Sequence, residues 1–207
     1  MKNAKFMMCA VCGLLVGGVA FAAAPEMVKV GGEGKIAIVN TCKAPTEALN
    51  VALRKVCNML MINFEIKKGG AWTLANAQKC FDAAKASAAV FIVKDPSLPM
   101  SLVAMESKWG VVNSAGLDES GVMKETLRVA TLVLGGAASR YTASSMRPVF
   151  SKEDLAKKAG DIVTFDSIMA ISNYLPDLGI KPYQMMDRQD AIAEGLIKDE
   201  KPAEAKK

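Results

Sequence analysis

The chain has 207 residues, 51% of them hydrophobic, carries a formal net charge of +5, and contains no histidine. Without histidine, Ser-His-Asp and Cys-His nucleophile systems are excluded, and so is the commonest ligand of catalytic zinc. The weak positive charge is not the footprint of a nucleic-acid binder.

The amino terminus places Lys2 and Lys5 before an apolar stretch from Phe6 to Val19, followed by Ala20-Phe21-Ala22. This three-part layout predicts a cleavable secretory signal over residues 1–22, cut after Ala22, and hence export to the periplasm or the extracellular space. The apolar stretch is shorter than the roughly 20 residues that span a bilayer, and no later segment is longer, so no transmembrane segment is expected in the mature chain. Cys9 and Cys12 fall inside the signal, which leaves Cys42, Cys57 and Cys80. In an oxidising compartment one pair of these can bridge, or all three can be buried thiols, and the sequence leaves both open. The mature chain carries a charge of about +3, and residues 23–197 are long enough for one domain with a real core. Residues 198–207 are Lys, Glu, Asp, Ala and Pro only, a composition that predicts a disordered tail.

In chain order, Gly31–Gly34 reads as a loop and Lys35–Val39 as a short apolar strand. Gly34-Lys35 is no phosphate loop, because a strand and not a helix begins at the lysine. Thr46–Leu60 is helical, with Leu49, Leu53, Val56 and Leu60 on one face. Asn63–Lys68 alternates like a half-buried strand, and Thr73 is placed to cap a helix with Leu74, Ala77, Phe81 and Ala84 inward. Ala88–Val93 is an apolar strand ended by Asp95-Pro96. Leu102–Val112 suggests a hairpin containing Glu106 and Trp109. A helix follows from about Val122 to Leu134, capped within Asp118–Ser120 and ended by Gly135-Gly136. Ser151 and Asp154 open another helix, Ser167–Tyr174 forms a short one stopped by Pro176, and Pro182 suits the first turn of a last helix reaching Leu196. The order predicts an α/β (α+β) fold: a small mixed sheet packed on helices, with a helical C-terminal half.

The segment Arg128-Val129-Ala130-Thr131-Leu132-Val133-Leu134-Gly135 and the residues after it resemble the archaemetzincins, a branch of the metzincin zinc peptidases. That family carries His-Glu-x-x-His-x-x-Gly-x-x-His, in which the histidines bind zinc and the glutamate is the general base. The resemblance keeps the breaking glycine as Gly135 and the methionine of the turn below the site as Met146. It places the histidine positions on Arg128, Leu132 and Ala138 and the glutamate position on Val129. The four cysteine positions of the family's second, structural zinc fall on Ser139, Ser144, Thr164 and Ser167. The resemblance therefore implies a metzincin-like domain with both zinc sites degenerate, no catalytic residue, no metal and no cofactor.

Glu125 and Arg128 are one helical turn apart and are expected to form an exposed pair. Replacing Arg128 or Ala138 is expected to be nearly neutral if that helix face lines an open cleft. The expected function is an exported, catalytically inactive peptidase-like domain whose cleft holds a peptide, a glycan or another envelope protein. The alternatives are a structural envelope component, or a carboxylate-dependent glycan hydrolase using Glu106, Asp118 or Glu119.

Overall fold

The computed structural model describes residues 25–157 and 160–199. The expected signal, and all but Lys198 and Asp199 of the expected tail, lie outside the described residues. Among the described residues the strands are β1 (Met27–Glu33), β2 (Ile36–Asn40), β3 (Phe64–Lys68), β4 (Ala88–Val93), β5 (Ser101–Ala104), β6 (Trp109–Asn113) and β7 (Lys181–Asp187). The helices are α1 (Thr46–Leu60), α2 (Ala77–Ala84), α3 (Glu119–Val133), α4 (Lys152–Lys157), α5 (Phe165–Leu178) and α6 (Arg188–Ala193). The expected α/β class, a small mixed sheet packed on helices, is the one found.

A five-stranded sheet runs in the order β3-β2-β4-β6-β5. Its first four strands are parallel, and β5 turns back antiparallel on β6. β3 lies to one side of β2 and β4 to the other. Right-handed crossovers of opposite direction therefore put α1 and α2 on opposite faces of the sheet. Side chains alternate accordingly along β4: Ala88, Val90 and Ile92 join the core under α1 and α3, while Ala89, Phe91 and Val93 join the smaller core under α2. Strand β4 is buried along its whole length, which is why it reads as an unbroken apolar run and not as an alternation. Helix α1 occupies the expected residues, with Leu49, Leu53 and Val56 fully buried.

Four local expectations are corrected. Residues Gly31–Gly34 do not form a plain loop: Gly31 and Gly32 belong to β1, which pairs antiparallel with β7. Thr73 caps a 3-10 turn, Leu74–Asn76, before α2, and Leu74 points outward at 62% exposure. Pro176 does not stop α5, which continues to Leu178 and ends at Gly179 in the left-handed region. The ring removes a hydrogen bond to the carbonyl of Ser172, but Ser172 and Pro176 are both exposed and water can replace it. Pro182 begins no helix and sits in β7. The pairing register steps from Gly31↔Tyr183 to Glu33↔Lys181 past the proline, and β7 has β1 as its one ladder partner in a two-stranded sheet, the setting in which strand proline is tolerated. The C-terminal part is therefore helical except for this strand.

Cys42, Cys57 and Cys80 are free thiols. No helix among the described residues is long and apolar enough to cross a membrane.

Two tests follow from this packing. A methyl group at Gly110 of β6 would stand 2.6 Å from Val129 Cγ1 and 2.9 Å from Val133 Cγ2. Gly110→Ala is therefore expected to cost about 1–3 kcal/mol in a urea melt. Burial, only partly opposed by Lys29, pushes the Cys57 thiol up to about 12. Since the thiolate is the nucleophile, iodoacetamide should label the half-buried Cys42 and Cys80 in the native protein, and Cys57 only after unfolding.

Candidate functional site

The segment singled out by the sequence is α3 and the loop that leaves it. Asp118 starts the helix by accepting a hydrogen bond from Gly121 N at 2.7 Å, the standard N-cap arrangement. The helix is buried on most of its circumference because it packs against α1, the sheet and α4. Val129 is fully buried in the core shared with α1. Thr131 turns its hydroxyl back to the Leu127 carbonyl at 2.7 Å.

The Glu125–Arg128 pair is not the exposed surface pair expected. Glu125 is completely buried, and the Arg128 side chain is 15% exposed. Arg128 Nε donates to Glu125 Oε2 at 3.0 Å, and Nη2 donates to Glu125 Oε1 and, at 2.6 Å, to Ser101 Oγ on β5. The correction has a tertiary cause. Strand β5 folds back along β6 and closes over this side of α3, so a pair that local spacing would leave in water is sealed inside. Two charges taken from water cost several kcal/mol each, and a two-pronged contact with a further hydroxyl is what makes such burial tolerable. Ser101 lies 27 residues from its partner, and nothing in its neighbourhood in the sequence marks it.

Leu132, one turn beyond Arg128, is half-buried, and Ala138 is exposed past the end of the helix. Gly135 has φ +96°, and a side chain there would meet Tyr174 Cδ1 at 2.6 Å. The chain leaves α3 through a conformation that glycine alone adopts at low cost, directly against α5. The loop that follows folds back on itself. Ser139 N donates to the Met146 carbonyl at 3.1 Å, and Met146 N donates to Ser144 Oγ at 3.0 Å. Met146 is 2% exposed beneath this turn.

The four hydroxyl residues named from the sequence fall in two places that are tied together. Ser139 and Ser144 belong to the turn, where Ser139 Oγ accepts from Tyr141 N and Ser144 bridges to Ile162. Thr164 and Ser167 stand at the start of α5, with their hydroxyls 3.2 Å apart, and Ser167 Oγ donates to the Ala137 carbonyl at 3.2 Å. Among the described residues no group of three His, Cys, Asp or Glu side chains converges to hold a metal ion. Glu106 and Asp118 are not brought together: one precedes β6 and the other follows it.

No family model matches the chain, and no curated protein matches it. Among solved structures it is similar to the archaemetzincin of Methanopyrus kandleri, with a TM-score of 0.55 at 13% identity over 70% of this chain and 96% of that one. A zinc-dependent peptidase from Methanocorpusculum labreanum gives a TM-score of 0.47 at 9% identity, over 66% of this chain and 99% of that one. The fold is archaemetzincin-like.

The two helix-face positions named from the sequence should respond differently to replacement. Arg128→Met strands a buried carboxylate and is expected to cost about 3–5 kcal/mol in a denaturant melt. Ala138→Ser, in the open, should change stability by no more than about 0.5 kcal/mol.

Proposed function

We propose that the chain is an exported, catalytically inactive metallopeptidase-like domain that works by binding. The archaemetzincin-like fold supplies the scaffold, and the residues on α3 argue against the chemistry. At the positions the resemblance assigns to the zinc ligands stand a guanidinium and two hydrocarbon side chains, Arg128, Leu132 and Ala138, and this donor set does not fit zinc. The position of the general base is Val129, packed in the core. The observation that carries the reading is the buried Glu125–Arg128–Ser101 contact. Glu125, one helical turn before Arg128, is already held by this guanidinium, which would also repel a metal ion. The second zinc position reads the same way, since Ser139, Ser144, Thr164 and Ser167 meet neighbours through hydroxyl hydrogen bonds that need no metal.

Export rests on Lys2, Lys5, the apolar stretch Phe6–Val19 and Ala20-Phe21-Ala22. The binding role would be exercised on a peptide, a glycan or another envelope protein. The alternative of a structural envelope component is favoured by the large apolar side chains left in water around the second half of the chain, Phe150 at 90% and Phe165 at 73% exposure. Stable self-association at low concentration would point to that alternative.

The test is turnover of a peptide library by the purified protein, with and without added zinc. No hydrolysis is expected in either case. Zinc-dependent hydrolysis that a chelator abolishes would overturn the proposal.

A further inference from the structure

Two clefts meet at the carboxyl ends of β2 and β3, at the edge of the sheet away from β5. On the α2 side lies an arm of about 190 Å³, walled by Val39, Trp72, Cys80, Ala83, Ala84 and Phe91. On the α1 side lies a wider arm of about 490 Å³ that includes Asn40, Lys43, Thr46 and Ile66. Thr41, Lys67, Lys68 and Gly69 line both, so the two arms adjoin at the strand ends. Ligand crevices in open α/β sheets form at this end of the strands.

The two arms differ in chemistry. The smaller is apolar and aromatic: the rings of Trp72 and Phe91 have centroids 6.1 Å apart. A dry cavity of about 150 Å³ is enough for benzene, so this arm has the size of a single ring. The wider arm and the junction carry three lysines, and no Asp or Glu lines either arm. Lys67 is committed to Glu65 at 2.6 Å and to the Ala84 carbonyl. Burial tends to raise the Glu65 pKa, but the hydrogen bonds and charges of Lys35 and Lys67 outweigh it and hold the carboxyl below its ordinary value. Lys43 and Lys68 form no ion pair among the described residues. The site therefore offers a ring-sized apolar slot next to uncompensated positive charge.

We propose that this double cleft binds a small aryl carboxylate, with its ring in the α2-side arm against Trp72 and its carboxylate at the junction beside Lys68. Lys43 adds charge from the far side of the junction. The proposal does not depend on whether the domain has lost peptidase activity, because the cleft lies at the sheet edge opposite to β5 and the Arg128 contact.

The experiment is a titration of the full chain with phenylacetate, followed by tryptophan fluorescence. Both tryptophans report on the slot, since Trp72 and Trp109 have ring centroids 6.2 Å apart. A saturable change is expected, with a Kd on the order of 1 mM for so small a ligand. Benzyl alcohol, which keeps the ring and loses the charge, should bind about fivefold more weakly, and Lys68→Gln should weaken phenylacetate by a similar factor. Ala83→Phe fills the slot from an exposed position on α2 and should abolish the response while the thermal melt stays unchanged. A missing or non-saturable response, equal affinity for benzyl alcohol, or an unaltered response in either variant would overturn the proposal.

Discussion

The burial of α3 against α1 and the five-stranded sheet, with the Glu125–Arg128 charge pair closed inside, is the constraint on which the rest of this structure depends. It fixes β5, because Ser101 must sit where Arg128 Nη2 reaches it. It requires a glycine at position 110, since Val129 and Val133 come down onto β6 there. It also sets the exit of the chain, because Gly135 must turn away from the helix against Tyr174 before the loop can lie over α5. A buried ion pair contributes little net stability compared with well-packed hydrocarbon, but breaking it leaves a charge without water or partner. The pair therefore specifies the geometry more than it stabilises the fold.

Much of the architecture was legible because it is written in local periodicity. The recurrence of Leu49, Leu53 and Val56 marks α1, the unbroken Ala88–Val93 run marks β4, and Asp118 with Gly135 brackets α3. The illegible parts depend on residues distant in the chain. The strand character of Met27–Glu33 needs a partner beginning at Lys181, and Pro182 reads as a helix start until that partner is known. The candidate site failed in the same way. Spacing identifies Glu125 and Arg128 as a pair, but only the return of β5 decides whether the pair faces water. The aromatic slot and its lysines went unnoticed for a similar reason, being gathered from β2, β3, β4, α2 and the connection after β3.

Fold and chemistry are separate questions in this protein. The chain has an archaemetzincin-like fold, and the helix onto which the resemblance maps degenerate zinc positions takes part in core packing and an internal charge pair. The loop after it is held by serine and threonine hydroxyls and backbone bonds. Open space with an unbalanced charge is found at the other edge of the sheet, around Lys43 and Lys68. Function follows from such sites and not from the scaffold that carries them.

The most direct test of this separation is the zinc stoichiometry of the purified protein by elemental analysis, beside its thermal melt with and without added zinc. No bound zinc and an unchanged melting temperature are predicted, because any ligand that binds only the folded state would raise it. Stoichiometric zinc, or marked stabilisation by it, would contradict the proposal that α3 serves no metal.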